Sequence, residues 1–226
     1  MQSFSVRNDN LELIKWVAAL LMVVDHINKY LLGDSHPIMF DAGRLAMPLF
    51  VFVLSYNLAR NEPNTLYESK TLALRMTKRL FAFGLIATPI YIALGGVTWG
   101  WWPLNILFGL CAVSTLVCFI QRKFYVAAVV FFFAAGFFVE FFWPLLGLGL
   151  ALWFYFRKPS VGAALFAGAF LVSLRLINGN YWALAAVPLF LVLCAVSVKV
   201  PRVRWFFYAF YPLHLAVILG IKLYVK

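Results

Sequence analysis

Asp25, His26 and Asn28 stand inside an apolar run, "LLMVVDHINKYLL", and His214 stands inside another, "AFYPLHL". An ionisable side chain at the centre of a membrane helix costs about 2.5–3.5 kcal/mol on insertion scales, so each is a functional candidate. Successive residues on a helix point about 100° apart, so Asp25 and His26 do not act on each other. Asp25 has two candidate partners, Lys29 at i+4 and Arg44 at the outer end of the next helix. His26 projects on another face and needs a partner from a different helix, with His214 and Asn57 the first candidates. Histidine titrates near working pH, which suits a general base that activates an amine or hydroxyl for acyl transfer. A proton relay in a transporter would use the same layout. Tyr208, Tyr211 and Pro212 precede His214, and a proline there leaves a backbone carbonyl without its helical donor, as a cavity wall allows. Glu140 and Arg175 fall near the ends of their runs and read as interfacial. Asp34, His36 and Asp41 lie in "GDSHPIMFDAGR", which reads as an outer loop. His26, His36 and Asp41 are ligand types, but their spacing matches no metal motif, so no metal is assigned.

These residues need elements to hold them. The chain is 65% hydrophobic and 12% charged, with a mean hydropathy of +0.91, which excludes an ordinary soluble domain. The net charge of +11 does not indicate nucleic acid, because the basic residues sit in short clusters between apolar runs. A membrane-spanning helix takes roughly 20 apolar residues, with a range near 17 to 25. The runs place spans at 11–31, 43–60, 77–95, 103–121, 124–139, 141–156, 160–177, 182–198 and 205–224. About nine helices are therefore expected in one all-α integral membrane domain over residues 1–226. The run from Leu11 continues into the polar pair without a small-residue cleavage site, so it reads as a retained first span. Every second connection is basic: Arg60, Lys70, Arg75, Lys78 and Arg79; Arg122 and Lys123; Arg157 and Lys158; Lys199, Arg202 and Arg204. The alternate connections carry no Lys or Arg and hold Trp99, Trp101, Trp102, Trp143 and Trp182. The positive-inside rule then puts the N-terminus in the cytoplasm and the C-terminus outside, with the tryptophans at the outer interface. Residues 124–156 are read as a tight hairpin, since one long helix would invert every later basic loop. Residues 61–76 read as a short amphipathic cytoplasmic stretch. The three cysteines, Cys111, Cys118 and Cys194, lie in apolar runs with neither metal nor disulfide spacing. An acyl-CoA donor is cytoplasmic and polyanionic, so the basic loops, with Asn57 and Arg60 at the end of the second span, are where its phosphates would bind.

The pieces "LELIKWVAALLMVVDHIN", "GRLAMPLFVFVLSYNLAR" and "FYAFYPLHLAVI" together resemble the TraX family, whose first helix carries a DHIN-like motif, whose second opens on a Gly-Arg motif and whose last carries FYPLHL. The middle of the chain, about 80–200, is similar in hydropathy only. The resemblance implies a protein of the bacterial inner membrane and an acetyltransferase with acetyl-CoA as donor. Its acceptor would be the N-terminus of a conjugative pilin, another pilin-like peptide or a surface glycan. By position it draws attention to Asp25, His26, Asn28, Gly43, Arg44, Pro48, Asn57, Arg60, Tyr211, Pro212 and His214. The resulting expectation has His26 as general base, with Asp25 and Arg44 locking helix 1 to helix 2. Asn57, Arg60, Arg75, Lys78 and Arg79 would hold CoA, and His214 would orient the acyl carbonyl from the far wall. Asn28, Arg44 and Tyr211 are expected to be structural or substrate-orienting. Two other readings stay open: a small proton-coupled transporter, and a non-catalytic membrane protein of pilus assembly. No visible inverted repeat favours the transporter.

Overall fold

The computed structural model describes residues 6–60, 66–203 and 205–225, and the backbone alone over 66–72. Arg204, residues 61–65 and the side chains of 66–72, Lys70 among them, lie outside the described residues. The described chain is helical. Its elements are α1 (Asn8–Leu31), α2 (Pro37–Gly43), α3 (Ala46–Arg60), α4 (Leu66–Leu94), α5 (Ile106–Gln121), α6 (Tyr125–Phe138), α7 (Phe142–Arg157), α8 (Val161–Ser173), α9 (Arg175–Asn178), α10 (Ala186–Ala195) and α11 (Phe206–Tyr224). A 3₁₀ turn, Trp182–Ala185, leads into α10. Four stretches are long and apolar enough to cross a membrane: Pro37–Arg60, Ala73–Leu94, Val161–Asn178 and Phe206–Tyr224. Four shorter apolar helices accompany them, Ile106–Gln121, Tyr125–Phe138, Phe142–Arg157 and Trp182–Ala195.

Local chemistry sets several boundaries. Pro37 opens α2 at a position where its missing N–H costs nothing. The Asn105 side chain accepts from the Leu107 amide at 3.1 Å and Ser160 accepts from Ala163 at 3.2 Å, capping α5 and α8. Gly179, at φ 74°, stops α9. Residues 139–141 turn α6 back into α7, so the tight hairpin read from the charge pattern is present.

Three boundaries differ from the sequence reading. The first helix begins at Asn8, ahead of Leu11, because Asn10 and Glu12 are buried by neighbours rather than by lipid. The third expected span, 77–95, extends back to Leu66 as α4. The second rod begins at Pro37, not at Gly43: residues 37–43, read as outer loop, form α2, and only Arg44 and Leu45 interrupt the rod before α3. Arg44 therefore lies inside this rod, past its first two turns, rather than at its outer end.

Polar ties align the ends of the helices. At the basic end, Asn10 donates to the carbonyls of Leu193, Cys194 and Val196, Arg60 donates to Asn8, and Arg79 lies 4.2 Å from the Trp205 ring. At the opposite end, Asn180 donates to Asp41, Lys222 donates to the Leu94 carbonyl, and Trp102 to that of Phe137. The helix α3 is the axis, buried along almost its whole length and packed on α1, α5, α7 and α10. Glycines permit the closest approaches: Gly149 backs onto Val113, and Gly43 backs onto Asp25.

Candidate functional site

Asp25 and His26 diverge as the 100° step requires. The Asp25 carboxylate accepts from Arg44 Nη2 at 2.5 Å. Lys29, the other candidate, is exposed and lies 5.3 Å from the Tyr30 ring instead. Arg44 also donates to the Phe40 carbonyl at 3.2 Å and to Asn178 at 3.4 Å, so one guanidinium joins α1, α2 and α9. The charge pair is largely shielded from its surroundings, with both side chains only 14% exposed.

His26 turns to α11. Its Nδ1 lies 2.7 Å from His214 Nε2, with the two rings nearly coplanar, 5° apart. His214 Nδ1 lies 2.9 Å from the Phe210 carbonyl, which can only accept. That fixes the neutral pair. His214 carries its proton on Nδ1 and accepts at Nε2; His26 donates from Nδ1 and keeps the lone pair on Nε2. Tyr30, Phe210 and Tyr211 surround the pair with aromatic rings, Tyr211 standing edge-on to both imidazoles. Both nitrogens of His214 are thus engaged, so the expected role of orienting an acyl carbonyl does not fit it. Its geometry is that of a group that orients His26.

Asn28 is fully buried and serves the backbone. It donates to the His36 carbonyl at 3.1 Å and accepts from the His36 amide at 3.0 Å, closing the 32–36 turn over α1. His36 itself pairs with Ser35. Among the described residues no three His, Cys, Asp or Glu side chains converge on a metal-sized site.

Below the histidines a pocket of about 390 Å³ opens toward the basic end. Among the described residues its mouth carries Lys15, Arg60, Arg75, Arg79 and Arg202 against one carboxylate, Glu12. Its deep part is apolar, walled by Met22, Val53, Leu110 and Ile106, and it ends at Phe210 and Tyr211, one helical turn short of the histidines. Asn57 lines this pocket and so is not the partner of His26. Of the residues expected at the mouth, Asn57, Arg60, Arg75 and Arg79 are present, whereas the exposed Lys78 is not among its walls. Lys15 was not anticipated, and Arg202 was expected only as one member of the basic loops. Lys15 forms an ion pair of 2.7 Å with Glu12 and sits 4.6 Å from the Phe207 ring. The i,i+3 spacing of Glu12 and Lys15 early in the first helix was the available signal; nothing local in "VKVPRVR" marks Arg202 from its neighbours. Glu140, read as interfacial, is half-buried in the α6–α7 turn, within electrostatic reach of Asp25, Lys29 and Arg44.

A helical membrane protein with a hydrogen-bonded histidine pair above a basic pocket is the class these features define. The chain belongs to the TraX family: the family model described as TraX protein matches residues 10–222. It is similar to Protein TraX of Escherichia coli, 32% identical over 124 residues that cover 54% of this chain and 45% of that protein. It is likewise 32% identical to Protein TraX of Escherichia coli strain K12 over 112 residues, 50% of this chain and 40% of that one. The chain thus spans less than half the length of the curated relatives it matches. No solved structure matches it.

Proposed function

We propose that this protein is an acetyl-CoA-dependent acyltransferase of the bacterial inner membrane. It has nine spans, its N-terminus and basic end in the cytoplasm and its C-terminus outside. The observation that carries the reading is the His26–His214 hydrogen bond, which leaves a basic nitrogen, His26 Nε2, above a pocket whose mouth suits a polyanion. Among the described residues five cations face one carboxylate there, which suits the phosphates of CoA, and the apolar shaft suits the uncharged arm that ends in the thioester. Acetyl-CoA supplies the activated acyl group. His26 Nε2 takes the proton of an acceptor amine or hydroxyl as it attacks the thioester carbonyl, and returns a proton to the departing thiolate. His214 Nε2 holds the imidazole through the cycle and stabilises the imidazolium that forms, as the third member of a catalytic triad does. The acceptor enters from the outer end; a pilin-like peptide with a free N-terminus or a surface glycan both carry a suitable group.

The test uses purified protein in liposomes with radiolabelled acetyl-CoA, a peptide bearing a free amino terminus and an oligosaccharide. Wild-type protein labels one of the two, and His26→Ala lowers transfer about 100-fold or more. Equal transfer by the two proteins removes His26 from the chemistry. Proton-coupled flux without CoA binding assigns the histidine pair to a transporter, and an unchanged pilus phenotype in His26→Ala and His214→Ala assigns the protein to assembly alone.

A further inference from the structure

A second hollow, of about 910 Å³, lies on the far side of the bundle from the histidines, between α6 and α8. Its floor is α7, where Gly147 and Ala151 lower the surface, and its walls are Ala128 and Phe132 of α6 and Ala163 and Phe166 of α8. Polarity is confined to one end. Lys158, Ser160 and the Tyr125 residue stand at the basic end, and the groove finishes at Phe133, Gly147 and Phe170 with no polar side chain. Arg122 and Lys123 in the α5–α6 turn, and Arg157 beside Lys158, make that end cationic.

The length of the groove identifies what fills it. From Gly147 to Lys158 along α7 is about 16 Å at 1.5 Å per residue. Half of a hydrocarbon core of about 30 Å is about 15 Å. The Phe170 ring crosses onto Gly147 and closes the groove at that distance from Lys158. A helix from a second copy, about 10 Å wide and running the full thickness, meets that ring. A chain belonging to one leaflet does not. We infer that the groove between α6 and α8 seats one acyl chain of an anionic phospholipid from the leaflet at the basic end, with its phosphate at Lys158. Basic pockets between membrane helices on that side suit such headgroups.

The experiment places the whole protein in nanodiscs with phosphatidylglycerol or phosphatidylcholine carrying a photoactivatable group on one acyl chain, and maps the adducts by peptide mass spectrometry. Adducts concentrated on α6, α7 and α8 are expected, with phosphatidylglycerol labelling about fivefold more than phosphatidylcholine, the worth of one lysine beside an anionic headgroup. Lys158→Glu brings the two lipids to parity. Gly162 lines the groove and a Cβ there meets no heavy atom within 4 Å, so Gly162→Trp is the variant chosen to fill it, and it lowers both adducts. Adducts spread evenly over all lipid-facing helices, or equal labelling by the two lipids in the wild type, overturn the inference. So does a disulfide-linked dimer formed by Phe133→Cys, which assigns the groove to a second copy.

Discussion

The histidine pair is asymmetric because its two members have different surroundings. His214 spends one nitrogen on the Phe210 carbonyl of its own helix and the other on His26. Among the described residues His26 spends only one. Proton transfer to substrate therefore falls to His26, and His214 acts through it. On the proposed reaction, His214→Ala lowers kcat while leaving the KM for acetyl-CoA near the wild-type value, because the pocket mouth is untouched. His214→Gln restores part of the rate, since an amide oxygen accepts a hydrogen bond from His26 Nδ1. Steady-state kinetics of the three proteins check both statements; a rise in KM with unchanged kcat would put His214 among the binding residues.

At the scale of elements, the position of His26 depends on how closely α1 approaches the α2–α3 rod. Gly43 allows that approach: a Cβ built there overlaps the Asp25 side chain, the partner of Arg44 one residue further on. Gly43→Ala pushes the two rods apart and lowers stability by about 1–3 kcal/mol, the cost of overpacking a close contact. Gly168, in mid α8, is the control. A Cβ there meets nothing within 4 Å, and Gly168→Ala stabilises by about 0.4–1 kcal/mol through the unfolded chain. Thermal unfolding in detergent separates the two, with melting temperatures moving in opposite directions. The same approach explains why the pair "DH" is read twice by the fold. One residue serves the α2–α3 rod and its neighbour serves α11, so a single turn of α1 ties Arg44 of the rod to His214 of α11, 170 residues further along the chain.

Over the whole molecule, charge is sorted by end. The pocket mouth draws Lys15 from α1, Arg60 from α3, Arg75 and Arg79 from α4 and Arg202 from the segment before α11. On the proposed reaction the KM for acetyl-CoA rises with ionic strength, because these groups are solvent-screened at the mouth. Arg202→Ala and Lys15→Ala raise KM several-fold with little change in kcat, whereas Lys78→Ala, off the pocket, leaves both unchanged. An equal effect of Lys78→Ala would show that anion binding depends on the general potential of this end rather than on the pocket.

What the amino-acid order determined alone was periodic or local. Apolar runs and alternating basic turns are properties of neighbouring residues, so the helices, the tight hairpin at 139–141 and the divergence of Asp25 from His26 were legible without coordinates. The Asp25–Arg44 link was legible as one of two choices, because burial of a charge demands a partner but does not say which. Tertiary structure decided the rest. That His214 and not Asn57 meets His26, that Arg202 joins the pocket while Lys78 does not, and that residues 37–43 continue the second rod all depend on which faces of distant helices meet. Those meetings are set by side-chain volumes at contacts such as Gly43 on Asp25 and Gly149 on Val113, which no local pattern encodes.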